Sequence, residues 1–245
     1  MKIGVIIQAR MGSTRLPGKI MKKLQGKTVL EHVIERVKQS KLIDEIIIAT
    51  TTHGRDDVIE TEALWCGVKV FRGSEDDVLS RYYYAAKENH LDVVVRITSD
   101  CPLIDPQILD EGIQYCVNNN YDIVSNAGSD LSKRTYPRGL DTEIFSFEVL
   151  EKSFAYAKET YQREHVTPYI YENFNNAYYY KNDIDYSKHR WTLDTDEDFL
   201  LISEIYKHLY HGEHDFYLSD IVSLFDVKPE LFSINAHIEQ KKLNN

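Results

Sequence analysis

Three short apolar runs constrain this chain most: Ile3 to Ile7 within IGVIIQ, Glu45 to Thr50 (EIIIAT) and Asp92 to Thr98 (DVVVRIT). Each is a continuous, mostly β-branched run of strand length and is followed by a segment with apolar residues at helical spacing. Leu30, Val33, Ile34 and Val37 make one such stripe; Val58 to Leu64, Val78 to Ala86 and Gln107 to Val117 make the next three. Val68 to Phe71 and Asp122 to Ser125 add shorter strands. Buried strands alternating with helices imply parallel pairing through right-handed crossovers. The expected fold class is α/β, with helices on both faces of a mostly parallel twisted sheet.

The pattern changes after Asn126. Residues 126–143 (NAGSDLSKRTYPRGLDTE) form a long polar stretch with Gly and Pro, a length that in compact domains is usually functional or disordered. Helical patterns near 147–158 and 163–173 follow, then an aromatic strand, AYYYK (177–181), and a late helix marked by Leu200, Ile202, Ile205 and Leu209. The tail from 239 is expected to fray. No repeat or linker divides the chain, so residues 1–245 are expected to form one domain, with about 130–190 as a distinct late subregion.

The first apolar run leads into QARMGSTRLPGK, where Arg10, Arg15 and Lys19 alternate with Gly12, Ser13 and Gly18. In open α/β sheets ligands bind beyond the carboxyl ends of the strands, which is where this loop falls. Glycines let the backbone approach a ligand, free N–H groups make an anion-binding concavity, and arginine's fork matches phosphate oxygens. These residues describe a polyphosphate cradle, although neither GxxxxGK[ST] nor GxGxxG is present, and a solvated basic loop would have the same composition. Acidic residues outnumber basic ones 39 to 29. That balance argues against a nucleic-acid partner and makes a local cluster of cations the more informative.

Asp100, in SDCPLIDP, ends the third long run on the same edge as the cationic loop. Such an aspartate can bind a cation or simply cap a turn. Asp105 is expected to cap the helix opened by Pro106. In LDTDED, Asp196 and Asp198 fall where a helix begins and its dipole favours acids. His208, His211 and His214 recur at three-residue steps near a helix end, where the dipole favours His; with no matching ligand cluster in the sequence, no zinc site is expected there. The seventeen tyrosines read mostly as core or interface residues. Cys66, Cys101 and Cys116 form no CxxC pair. Met1 opens directly into a strand with no leader-like segment, and no apolar run reaches the roughly 20 residues of a membrane span. A cytoplasmic protein without a membrane partner is expected.

QARMGSTRLPGK, FRGSEDDVLSRYY, VRITSDCPLIDP, YPRGLDTE and REHVTPYIY together resemble the spore coat polysaccharide biosynthesis protein F family, within the cytidylyltransferases that make CMP-sugars. The resemblance runs from residue 3 to about 200. It implies a GT-A-like nucleotidyltransferase that transfers CMP from CTP to a sugar or sugar acid for surface polysaccharide. It places the triphosphate on Arg10, Gly12, Ser13, Arg15 and Lys19, and the cytosine near Gln8, Ala9, Arg72, Gly73 and Ser74. It gives Mg²⁺ to Asp100 and Asp194, and makes Arg15, Lys19 and Asp100 the catalytic set. Arg138, Asp141, Glu143, Glu164 and His165 fall on the acceptor side. Relatives often pair through the late subregion, so a homodimer is expected. The alternative is a GT-A glycosyltransferase using a nucleotide-sugar. That class usually carries a DxD motif at a central strand end, where this chain has SDCP with one Asp.

Overall fold

The computed structural model describes residues 1–128 and 131–239; the end of the predicted fraying tail, 240–245, lies outside them. The strands are β1 (Ile3–Gln8), β2 (Lys23–Leu24), β3 (Lys27–Thr28), β4 (Glu45–Thr51), β5 (Lys69–Gly73), β6 (Val93–Thr98), β7 (Ile123–Ser125), β8 (Glu143–Ser146) and β9 (Ala177–Tyr179). The helices are α1 (Val29–Val37), α2 (Asp57–Trp65), α3 (Val78–Glu88), α4 (Pro106–Asn118), α5 (Phe147–Tyr156), α6 (Thr160–His165), α7 (Pro168–Asn173), α8 (Asp196–Leu209) and α9 (Leu218–Val227).

Seven strands form one sheet in the order β5-β4-β1-β6-β8-β7-β9. The three runs that define the sequence occupy its centre, β1 pairing in parallel with both β4 and β6. Only β8 runs against its neighbours. Side chains alternate between two apolar layers. Ile3, Val5 and Ile7 join the layer that includes α1, α4 and α8, while Ile6 joins Ile47, Val94 and Tyr82 in the layer that includes α3 and α5. Each fully buried Val or Ile contributes roughly 1.5–3 kcal/mol, which makes the sheet centre a rigid base for charged groups at its edge.

Helix starts follow local chemistry. Asp105 caps α4 by accepting from the Gln107 N–H at 2.9 Å, as predicted, and Asp77 caps α3 through the Ser80 N–H at 2.9 Å. The helix predicted over 163–173 is instead two short ones. Val166 has φ +72°, and Pro168 opens α7 without an N–H to continue α6. Strand β8 emerges from the end of the polar stretch. Its four residues carry too little period-2 signal to stand out, and pairing with β6 decides its conformation. Helix α9, also absent from the sequence reading, packs on α8 and on a 3₁₀ turn over 229–234.

Candidate functional site

Strands β1, β4 and β6 are parallel, so the loop after β1 and Ser99-Asp100 after β6 meet on one edge. The loop is fixed at its start: the Met11 N–H donates to Asp56 at 2.7 Å, and the Ser13 N–H donates to the Met11 carbonyl at 2.9 Å. Gly18, at φ +67°, turns the chain so that Lys19 points back toward the sheet edge.

A long-range pairing brings the second aspartate there. Arg138 and Arg190 form an isolated parallel bridge. The Trp191 N–H donates to the Arg138 carbonyl at 2.7 Å, and the Leu193 N–H to the Asp100 carbonyl at 2.8 Å. Gly139 makes this approach possible: its φ is +97°, and a Cβ there would lie 2.5 Å from the Trp191 carbonyl carbon. Asp198 then locks the turn, one oxygen accepting from the Asp194 and Thr195 N–H groups at 3.0 and 3.1 Å. It also pairs with Arg190 at 2.9 Å. Asp198 is thus a structural cap, as its position at the helix start implied.

The result is a charged cluster whose central pair, Lys19 and Asp194, lies 175 positions apart in sequence. Lys19 Nζ lies 2.7 Å from Asp100 and 2.8 Å from Asp194. Arg15 and Arg190 reach the other oxygen of Asp194 at 2.9 and 3.0 Å. Burial pushes the Lys19 pKa down, but the two carboxylates outweigh it and the net direction is up. Burial pushes Asp100 up, and the Lys19 ammonium outweighs that, holding it below the ordinary carboxylate value. Two carboxylates are thus held side by side under one cation. Oxygen-only donors that converge on a single cationic point suit a hard divalent ion.

A cleft of about 340 Å³ opens over this cluster. Of the predicted residues, Gln8, Ala9, Arg10, Gly12, Ser13, Arg15, Lys19 and Asp100 line it, and Glu164 and His165 at the end of α6 close its far side. A larger hollow of about 560 Å³ near Val37, Ile43 and Leu64 lies away from this cluster.

Several predicted residues stand elsewhere. Arg72 faces α2, where its guanidinium donates to the Thr51 and His53 carbonyls and to Glu60 and Asp57. It clamps α2 to β5. Gly73 and Ser74 do not line the cleft; the Ser74 carbonyl accepts from Arg81. Glu143 is spent on Arg96 at 2.6 Å, Thr167 at 3.0 Å and Tyr171 at 2.8 Å, tying α7 to the sheet. Asp141 forms a two-pronged pair with Arg134. Arg138 makes no side-chain hydrogen bond or ion pair among the described residues. Burial, then the nearby Arg134, lowers its pKa despite Asp141.

The sequence reading missed Arg81 and Arg190. Arg81 is buried in the cleft wall, donating to the Ser74 and Glu75 carbonyls, with Nε unpartnered. The available signal was an arginine inside an otherwise apolar stretch of α3. For Arg190 there was none, because the segment from Arg190 to Asp194 is not helical and the i, i+4 spacing carries no neighbour signal there.

Residues 4–224 match the family model described as cytidylyltransferase. The chain belongs to the cytidylyltransferase family. It is 34% identical over 239 residues to the spore coat polysaccharide biosynthesis protein SpsF of Bacillus subtilis, covering 92% of this chain and 94% of that one. A cytidylyltransferase structure from Leptospira borgpetersenii superposes with a TM-score of 0.89 at 38% identity, covering 99% of this chain and all of that one. The CMP:2-keto-3-deoxy-manno-octonic acid synthetase complexed with CTP shares the fold at TM-score 0.68 and 18% identity, covering 84% of this chain and 99% of that one. The fold is thus that of the nucleotidyltransferases, as the sequence led us to expect. Within this cytidylyltransferase, the carboxyl edge of β1 and β6 carries the cluster just described.

Proposed function

We propose that this cytidylyltransferase joins CMP from CTP to a hydroxyl of a sugar or sugar acid, releasing pyrophosphate, in the making of a surface polysaccharide. The observation that carries the reading is Lys19 held between Asp100 and Asp194 at 2.7 and 2.8 Å, with Arg15 alongside. The acceptor oxygen attacks the α-phosphorus, the bond to the β-phosphate oxygen breaks, and the acceptor hydroxyl gives up its proton. Chemistry of this kind depends mainly on positioning and on stabilising charge where it develops. Arg15 and Lys19 face the leaving pyrophosphate. When phosphate oxygens take over these two cations, Asp100 and Asp194 are released to hold a divalent ion. Mg²⁺ is the ion proposed, and it would draw charge from the phosphates.

Gln8 and Ala9 at the end of β1 are the base-side candidates. Glu164 and His165 face the same cleft from the acceptor side, and among the described residues Arg138 has no side-chain partner competing for an acceptor carboxylate or phosphate. The full chain acts as one domain, with residues about 130–190 as its acceptor and dimerisation region and a homodimer as the working unit. The three free cysteines fit a cytoplasmic enzyme. No helix among the described residues is long and apolar enough to cross a membrane.

The test is pyrophosphate release from CTP and Mg²⁺ against a panel of sugars, sugar phosphates and sugar acids. Acceptor-dependent release is the expected result. Consumption of an intact nucleotide-sugar in its place would support the glycosyltransferase alternative.

A further inference from the structure

Away from the cleft, the structure brings together two parts of the sequence that nothing in the cytidylyl chemistry uses. His32 and Glu35 lie one turn apart on α1, and His214 lies beyond the end of α8, in the HLYHGEH motif. His214 leaves the helix and turns inward. Its ring Nε2 lies 2.8 Å from His32 Nδ1, and its Nδ1 lies 3.4 Å from Glu35 Oε2. The other nitrogen of His32 faces the Leu24 carbonyl at 2.8 Å. His32 is fully buried and His214 nearly so.

Two neutral imidazoles carry one N–H each. The Leu24 carbonyl takes the His32 Nε2–H, which leaves His32 Nδ1 as a lone pair. His214 gives its N–H to that lone pair from Nε2, so its own Nδ1 presents a lone pair to the Glu35 carboxylate at 3.4 Å. A cation in place of the His214 hydrogen would meet a lone pair from each ring, with the Glu35 carboxylate beside them.

We propose that His32, Glu35 and His214 bind a first-row divalent metal ion of the zinc type. A ligand atom from each residue lies within 4.8 Å of the others, and neighbouring ligand atoms on tetrahedral zinc are about 3.3 Å apart, so side-chain adjustments close the site. The donors are two imidazoles and one carboxylate, with a solvent molecule completing four-coordination. The Leu24 carbonyl fixes the His32 tautomer, as outer partners of metal-bound histidines do. Lys27 holds the other Glu35 oxygen, Oε1, and leaves Oε2 toward His214. The packed rings of Tyr206 and Tyr210 wall the site, their centroids 4.3 and 5.1 Å from that of His32. Such an ion would staple the segment after α8 to α1. It is chemically distinct from the all-oxygen pair Asp100 and Asp194.

The experiment titrates the chelator-treated full chain with Co²⁺, then Zn²⁺, in excess Mg²⁺ to occupy the carboxylate pair. The expected result is one equivalent of Co²⁺ with the strong visible absorption of a tetrahedral nitrogen-ligated ion, displaced by Zn²⁺, and a thermal midpoint raised by Zn²⁺. His214→Gln and Glu35→Gln lower the affinity at least tenfold, while Asp100→Asn leaves it unchanged. Circular dichroism and CTP turnover of His214→Gln and Glu35→Gln verify their folding. No stoichiometric Co²⁺ uptake in excess Mg²⁺, or uptake unaltered by His214→Gln, overturns the proposal. So does a histidine NMR spectrum showing a proton-bridged pair that Zn²⁺ does not perturb.

Discussion

At the scale of single residues, the site turns on how Asp194 is shared. It accepts from Arg15, Lys19 and Arg190, and only the first two face the cleft. Lys19→Ala or Arg15→Ala removes a cation from the proposed leaving-group side, and we expect kcat/KM for CTP to fall at least about tenfold, or roughly 1.4 kcal/mol in transition-state terms. Asp100→Asn keeps the shape but removes a charge; it should fold and lose most of its metal-dependent turnover. Steady-state kinetics against Mg²⁺ concentration check both, and unchanged values would remove these residues from the reaction. His189 gives a separate, pH-dependent prediction. Burial, then Lys188, lowers its pKa from 6.5 to about 4. A group depressed in this way stays neutral in the folded protein while the unfolded chain protonates. Its contribution is therefore complete above pH 6.5 and shrinks as pH falls toward 4. His189 sits against Trp191 and Phe225, so His189→Phe should flatten that part of the stability profile. Urea melts at pH 7.0 and 4.5 measure it; equal acid sensitivity in both proteins would rule the assignment out.

At the scale of elements, α6 decides where the proposed acceptor side of the cleft stands. The helix is one short turn and a half, too short to hold its own position. Arg163 fixes it, donating to the Asp77 cap of α3 at 3.0 Å and to the Phe154 carbonyl of α5 at 2.9 Å. Glu164 and His165 follow immediately and line the cleft. Arg163→Ala should therefore raise KM for the acceptor severalfold while KM for CTP changes little. Initial-rate kinetics with each substrate varied in turn separate the two, and an equal rise in both constants would mean that α6 supports the whole cleft.

At the scale of the molecule, the sheet divides the work. Its parallel half, β5-β4-β1-β6, presents at one edge the loops that line the cleft. The half from β8 onward carries later segments, including α7, which Glu143 of β8 holds through Thr167 and Tyr171. The proposed homodimer uses this later half. Light scattering across a concentration series should give twice the chain mass, and a single-chain mass at every concentration would confine function to the monomer. The bridge from Arg138 to Arg190 links the halves, because it delivers Asp194 to the end of β6.

The parallel sheet, the cationic loop and Asp100 were legible in the sequence because each is local. A buried strand announces itself by its own composition, and a loop that follows one lies at a known edge of the sheet. Motif resemblance extended this to Asp194. The tertiary structure alone decided the partners. Arg72 and Glu143 read as site residues by motif, yet strand alternation turns one onto α2 and pairing with β6 spends the other on Arg96. Arg190 enters the site through a contact no local pattern encodes, and His214 finds His32 across 182 positions. Local periodicity reports which face of an element is apolar. Which charged groups meet depends on how distant elements pack, and burial penalises any charge left without a partner.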